Sequence, residues 1–138
     1  LQRAQICILA GDYDQAQKDC VQAIGMQDGF LAGYALLGDL YYARSEYEQA
    51  IANYSIALLE QEDYAGYLNR GSCYMALGQY EQAEADFTQA ILLKPNLAAA
   101  YMLRGETREN MGDPEDALAD YKTAKDLSRE GEEESGAA

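Results

Sequence analysis

The sequence predicts an all-α protein, a superhelix in which antiparallel helix pairs stack side by side. Small and aromatic residues recur along the chain at steps of 33 or 34 residues, and repetition at such a period is typical of stacked helical units. Alanine occupies the same two places in all four repeats, at positions 16, 50, 83 and 117 and at positions 23, 57, 90 and 124. A hydrophobic content of 49% is ample for the continuous core of such a stack.

Apolar residues at helical spacing, interrupted by short turns, predict four helix pairs. The predicted helices span 1–10 and 13–26, 31–44 and 47–60, 64–77 and 80–93, and 98–111 and 114–128. Gly11, Gly78 and Gly112 follow the first helix of a pair, where a left-handed residue closes a helix C-terminus. Asp12 and Asp113 then stand at the N-cap positions of the second helices.

Small residues are expected where helices must approach each other closely. Gly71 and Ala83 are expected to bring the two helices of one pair together, and Ala90 to let the second helix pack on the next pair. Tyr74 and Phe87 are expected to fill the space between the helices, as aromatic side chains do in a two-layer core.

The chain is predicted to be one solenoid domain of four repeats followed by a tail. The predicted units are residues 1–30, 31–63, 64–97 and 98–128, with an acidic, disordered tail at 129–138. The first unit lacks its first helical turn, so we expect the parent protein to continue upstream. Lys125 stands where the earlier repeats have isoleucine or leucine, and this polar outer face is typical of the last helix of a solenoid.

The charge composition argues against nucleic acids and anionic membranes as partners. The chain has 10 basic and 24 acidic residues, a net charge of −14, whereas nucleic-acid binding depends on a basic face. Neutral or basic partners are therefore expected, although an acidic surface also serves solubility alone. No apolar run approaches the roughly 18 residues that a membrane span needs.

The sequence has no histidine, which removes the commonest metal ligand and the usual catalytic base. Its three cysteines, Cys7, Cys20 and Cys73, show no metal-binding spacing. We therefore expect no cofactor, no metal and no catalysis. The cysteine usage favours a reducing compartment and hence the cytoplasm. Cys7 and Cys20 occupy facing positions of the first repeat, at which the repeat pattern has aromatic residues. We expect them to be two small free thiols that take the place of the aromatic rings, rather than a disulfide.

The repeats resemble the tetratricopeptide repeat (TPR) family, whose unit is a helix–turn–helix of 34 residues. The third repeat carries the family pattern as Tyr67, Gly71, Tyr74, Ala83, Phe87, Ala90 and Pro95. The second carries it as Tyr34, Gly38, Tyr41, Ala50, Tyr54 and Ala57, and the fourth as Tyr101, Gly105, Ala117, Tyr121 and Ala124. The resemblance implies a right-handed solenoid that acts as a protein-interaction module, with the first helix of every pair lining its concave face.

The resemblance also implies a binding groove on that face. The candidate groove residues are Ala35, Asp39 and Tyr42 in the second repeat, Leu68, Asn69, Ser72 and Met75 in the third, and Met102, Glu106 and Glu109 in the fourth. Small floor residues, aromatic and methionine side chains and an acidic end suit a peptide or helical segment with apolar and basic residues. In the alternative interpretation, Tyr42, Leu68 and Met75 are covered by neighbouring helices and bind nothing.

One subtype of the family clamps a partner's C-terminal carboxylate with lysines, an arginine and asparagines. In the frame of the first three repeats the matching positions are Leu1, Gln5, Leu36, Ala65 and Asn69, and in the frame of the last three they are Ala35, Asp39, Asn69, Ala99 and Leu103. Because only the asparagine is kept, no such clamp is expected. Arg70 and Arg104 replace a leucine of the family pattern, and we expect their stems to pack on the core with the charged groups turned outward.

Two other functions stay open at this point. The chain could be a scaffold that forms homo-oligomers through its N-terminal layer, around Ile6, Leu9 and Ile24. It could also be the regulatory TPR part of a larger enzyme or assembly factor.

Overall fold

The computed structural model describes residues 2–26 and 30–136, and every regular element in those ranges is an α-helix. The helices are α1 (Gln2–Ala10), α2 (Tyr13–Ile24), α3 (Phe30–Ala43), α4 (Tyr47–Glu60), α5 (Tyr64–Ala76), α6 (Tyr80–Leu93), α7 (Ala98–Asn110) and α8 (Pro114–Gly136). The all-α prediction is confirmed, and the predicted ends of α2 to α7 agree with the observed ones to within two residues. Leu1, predicted to begin the first helix, lies outside the described residues. None of the described helices is both long and apolar enough to cross a membrane.

The helices form a curved stack of antiparallel pairs. Each helix packs against the one before it and the one after it, and neighbouring odd-numbered helices also contact each other, as α3 and α5 do. Within the described part of the chain, no two even-numbered helices contact each other. A row of helices that touch lies on the inside of a bend, so α1, α3, α5 and α7 form the concave wall and the even-numbered helices form the convex one.

In the second, third and fourth repeats, the two helices of a pair meet at a glycine. A Cβ atom added at Gly71 would lie 2.7 Å from the ring of Phe87, and one added at Gly105 would lie 2.7 Å from the ring of Tyr121. Gly38 has the same relationship to Tyr54. These distances leave no room for a side chain. They confirm the prediction that α5 has a small residue at Gly71 because α6 approaches it closely there.

A residue with left-handed backbone ends the first helix of each pair. Gly11, Gly78 and Gly112 have φ angles of 81°, 75° and 88°, as their sequence positions predicted. Ser45 occupies the same place in the second repeat with a φ of 61°. Asp12 accepts a hydrogen bond from the backbone N–H of Gln15 at 3.3 Å, which confirms its predicted role as the N-cap of α2.

Arginine–aspartate pairs tie the layers together, and they correct the prediction that the charged groups of Arg70 and Arg104 turn outward. Nε and Nη2 of Arg70 donate to both carboxylate oxygens of Asp86, at 2.8 and 2.7 Å. Nη1 of Arg70 donates to Ser55 Oγ of the preceding pair at 3.1 Å. The prediction was wrong because each arginine was considered alone, whereas a carboxylate from the facing helix holds the guanidinium inside.

The same arrangement recurs in other layers. Arg104 donates to both oxygens of Asp120, at 2.9 and 2.8 Å, and to Thr88 of the preceding pair. Arg3 binds both carboxylate oxygens of Asp19. Each of these aspartates is less than a tenth exposed, so each pair neutralises a charge that burial would otherwise penalise.

The last helix is longer than the sequence predicted. α8 continues through Gly136, so the expected disordered tail is wrong for residues 129–136, while 137–138 lie outside the described residues. Four of the eight residues 129–136 are glutamates, which lose little side-chain freedom in a helix. Arg129 also forms an ion pair with Asp126 one turn earlier, at 3.1 Å. Lys125 is exposed on this helix, as a polar outer face requires.

Candidate functional site

The concave wall opens into a cavity of about 390 Å³ between α3 and α5, above the C-terminal half of α4. Three of the candidate groove residues line it: Ala35, Asp39 and Asn69. The other lining residues are Ala32 from α3, Tyr54, Ala57, Leu58 and Gln61 from α4 and its end, Glu62 and Asp63 from the linker, and Ala65 and Gly66 from α5. The structure therefore brings together groups from two successive repeats.

Small side chains keep this cavity open. α3 contributes Ala32 and Ala35 to the walls and α5 contributes Ala65 and Gly66, and a Cβ atom added at Gly66 would lie 2.9 Å from Leu58 Cδ2. Below them, Tyr54 and Leu58 of α4 are buried, with 3% and 8% of their surface exposed. The cavity therefore has an apolar floor between α3 and α5, with room for one extended side chain of a bound molecule.

The linker residues at the mouth of the cavity are held in place by local hydrogen bonds. Gln61 has extended backbone after α4, and Asp63 begins α5 as its N-cap, accepting a hydrogen bond from the N–H of Ala65 at 3.3 Å. Glu62 accepts a hydrogen bond from the hydroxyl of Tyr67 at 3.0 Å. These contacts fix two carboxylates beside the opening.

Asp39 is the carboxylate that α3 contributes to the cavity. The hydroxyl of Tyr54 donates a hydrogen bond to Oδ1 of Asp39. Burial raises the pKa of the Asp39 carboxyl above its ordinary value, although the hydrogen bond from Tyr54 opposes this shift. Burial and the neighbouring carboxylate also raise the pKa of the Tyr54 hydroxyl. The lining contains three carboxylates and neither lysine nor arginine, so its charge is negative.

Four other candidates lie on the odd-numbered helices outside this cavity, with accessible side chains. Tyr42 is 43% exposed and its ring meets that of Tyr47 edge to face, with 5.6 Å between centroids. Met102 is also 43% exposed, Met75 is half-buried and Glu106 is exposed. They extend the concave surface above and beyond the cavity.

The remaining three candidates have partners within the protein. Leu68 is half-buried and packs against the core cluster around Leu58, Tyr67 and Ala90. Ser72 donates its hydroxyl hydrogen bond to the carbonyl of Leu68 at 2.9 Å. Glu109 accepts a hydrogen bond from Tyr121 at 2.7 Å and raises the pKa of that tyrosine to about 12.

Sequence reasoning missed the contributions of α4 and of the linker to the cavity. It considered only the first helix of each pair, and therefore passed over the Tyr54 hydroxyl and the carboxylates of Glu62 and Asp63. The signal that would have pointed to the linker is in the repeat spacing. The 33-residue step shortens the connection at 60–63, and this short connection holds three acidic residues.

The described residues contain no group of three or more side chains placed to hold a metal ion. All three cysteines are free thiols. Cys20 and Cys73 are fully buried, and burial raises the pKa of Cys20 to about 11 and that of Cys73 to about 12. Both thiols are therefore parts of the core.

Models of the tetratricopeptide repeat match residues 64–97 and 98–130. Similar solved structures include the second TPR of Spaghetti (RPAP3) bound to the HSP90 peptide SRMEEVD. That structure is 30% identical, with a TM-score of 0.66, and the match covers 82% of this chain and 98% of that one. The first TPR of the same protein, bound to the same peptide, is 26% identical with a TM-score of 0.68, covering 70% of this chain and 78% of that one.

A crystal structure of MamA is similar in fold over more of the chain. It is 19% identical with a TM-score of 0.88, and the match covers 96% of this chain and 78% of that one. No curated protein sequence is significantly similar to this chain.

Proposed function

Because this chain belongs to the tetratricopeptide repeat family and is built as a protein-interaction module, we propose that its concave groove holds a segment of a partner protein. The segment is a peptide or a helix with apolar and basic residues, and the chain itself is not catalytic. The observation that carries this proposal is the cavity between α3 and α5, with Asp39 at its centre and apolar walls around it.

The size and chemistry of the groove support this proposal. A volume of about 390 Å³ lies within the range of ligand pockets. Exposed Tyr42 and Met102 supply apolar contact area beside it, and methionine adapts well to varied partners. The net charge of −14 favours basic partners through long-range attraction.

The negative lining of this groove bears on the charge of the segment that it would accept. The two TPR domains of Spaghetti bind an acidic HSP90 peptide, SRMEEVD. At the positions that match a carboxylate clamp, this chain has Ala35, Asp39, Asn69, Ala99 and Leu103, with no cation among them. We therefore propose that this groove selects basic segments and rejects acidic C-terminal ones.

Nuclear magnetic resonance tests the groove directly. A peptide with alternating leucine and arginine residues is titrated into the labelled protein, and we expect the largest shift changes at Tyr42, Asn69, Met75, Met102 and Glu106. The peptide SRMEEVD serves as the comparison and should leave these signals unchanged. Shift changes confined to the even-numbered helices would overturn the proposal.

Self-association is a second candidate function, and the exposure of Ile6 favours it. Ile6 is 65% exposed, although the residues in the same place in the other repeats, Leu40, Cys73 and Thr107, are fully buried. Leu9 beside it is 85% exposed. Ile24, which the sequence placed in this layer, packs instead against α3, since a Cβ atom at Gly33 would lie 2.6 Å from its side chain.

Sedimentation at increasing protein concentration tests this second function. We expect a dimer that Ile6→Glu abolishes, while the control Leu59→Glu leaves the dimer intact because Leu59 is 85% exposed on the convex side. A monomer at all concentrations would exclude it.

A further inference from the structure

We propose that the cavity between α3 and α5 receives one arginine or lysine side chain of the bound segment and pairs its charged group with Asp39. This inference rests on the proposed groove binding and adds to it the subsite that anchors the partner. The occupant is therefore defined by its chemistry, a flexible alkyl stem that ends in a cation.

The walls of the cavity suit the stem of such a side chain. Ala32 and Ala35 of α3 face Ala65 and Gly66 of α5 across the opening, and buried Leu58 lies below. The methylene groups of arginine and lysine pack on apolar surface of this kind while the charged end reaches a polar partner. A larger apolar residue would fill the cavity without satisfying the carboxylate inside it.

The comparison with the other aspartates of the chain explains why Asp39 is the anchor. Asp19, Asp86 and Asp120 are buried, and each is bound by an arginine of the facing helix. Asp39 is partly buried as well, but within the described residues its hydrogen bond comes from the neutral hydroxyl of Tyr54. A carboxylate removed from water gains most from a cation, and the described residues that line the cavity include neither lysine nor arginine.

The hydrogen bond from Tyr54 also prepares Asp39 for this role. It occupies Oδ1 and fixes the orientation of the carboxylate, so the second oxygen is left to accept from an ammonium or guanidinium group. Asn69, on the opposite helix, is exposed and adds an amide oxygen at the same opening. Burial raises the pKa of Asp39, and a bound cation would lower it again by favouring the ionised form.

The test uses one labelled octapeptide of leucine and glycine with a single central arginine, and a second in which norleucine replaces that arginine. Binding is measured by fluorescence anisotropy at about 150 mM salt, where attraction to distant surface charges is screened. We expect the arginine peptide to bind at least about tenfold more tightly than the norleucine peptide, as expected for one charge-assisted hydrogen-bonded pair.

Two variants and a control assign that difference to the cavity. Asp39→Asn keeps the shape of the side chain and its acceptor for Tyr54, and it should remove the preference for arginine while leaving norleucine binding unchanged. Ala35→Lys places a cation at the opening and should abolish binding of the arginine peptide. Glu48→Gln removes the same charge from an exposed site on α4 and should change neither affinity. Circular dichroism checks that all variants fold.

The outcomes separate this inference from the groove proposal. If both peptides bind the concave face equally, or if Asp39→Asn keeps the preference for arginine, the groove stands and the cation subsite is excluded. If neither peptide binds, both proposals fail.

Discussion

Arg70 and Asp86 lie sixteen residues apart and form a two-pronged ion pair between facing helices, at 2.8 and 2.7 Å. Two other repeats have an arginine and an aspartate at the same spacing. In the second repeat both partners change together, to Leu37 and Asn53, and Asn53 donates instead to the carbonyl of Gln49 on its own helix. Across the four repeats, the arginine and the aspartate are therefore either both present or both replaced by uncharged residues.

This relationship predicts how single and double substitutions differ. Arg70→Leu should lower the free energy of unfolding by about 3–5 kcal/mol, because it leaves the carboxylate of Asp86 buried without a cation. Adding Asp86→Asn should recover most of the lost stability, since the double variant has the same two residue types as the second repeat. Urea denaturation measures both. A double variant as unstable as the single one would show that the second repeat owes its tolerance to something else.

Glycine substitutions should have opposite effects in two helices. Gly71→Ala places a methyl group 2.7 Å from the ring of Phe87 and should cost about 1–3 kcal/mol of stability through overpacking. Gly131→Ala, in α8, meets nothing within 4 Å and should stabilise by up to about 1 kcal/mol through helix propensity. Thermal unfolding followed by circular dichroism compares them. Equal changes in stability for the two variants would mean that helix propensity alone determines the effect of alanine, and that the contact with Phe87 adds nothing.

The left-handed backbone of Ser45 predicts a stabilising substitution. Its φ of 61° is the conformation that glycine adopts at this place in the other three repeats. Ser45→Gly should therefore raise stability by about 1 kcal/mol, as relief of the clash of Cβ outweighs the added freedom of the unfolded chain. The reverse change, Gly78→Ser, is the matched control and should destabilise. If Ser45→Gly lowers the melting temperature, a side-chain contact of the serine outweighs its strain.

The three thiols should react at very different rates. Cys20 and Cys73 are fully buried, with pKa values raised to about 11 and 12, whereas Cys7 is half-buried. Because the thiolate is the reactive form, we expect iodoacetamide at pH 8 to modify Cys7 alone in the folded protein and all three cysteines in denaturant. Mass spectrometry counts the added groups. Labelling of Cys73 as fast as that of Cys7 would show that the third repeat opens locally.

The helices and their contacts could be predicted from the sequence because they depend on local pattern. The recurring alanines, and glycines such as Gly78 and Gly112, encode the helix pairs and their turns directly. The ion pairs were missed although their signal was present, since the spacing of Arg70 and Asp86 recurs between Arg104 and Asp120. The cavity could be predicted only in part. Asp39 and Asn69 lie on the expected face. The role of Tyr54 could not be predicted, because it depends on the position of its hydroxyl relative to Asp39 on another helix.

Asp39→Asn should stabilise the free protein at neutral pH. Burial raises the pKa of Asp39 above its ordinary value of 3.8, so the folded state binds this proton more tightly than the unfolded state does. The stability that the protonated form contributes is therefore present at pH values below 3.8 and is lost as the pH rises through the raised pKa. Asparagine does not ionise and escapes this loss.

The expected result is a melting temperature that is higher for Asp39→Asn than for the parent at pH 7, with a difference that shrinks as the pH approaches 3.8. The same Asp39→Asn substitution that weakens binding of an arginine peptide would then stabilise the fold. The partly buried carboxylate of Asp39, which has no cation in the free protein, lowers stability, and this is a common consequence of building a binding site. Equal melting curves across this pH range would show that water already solvates the carboxylate of Asp39, and that it gains little from a partner's cation.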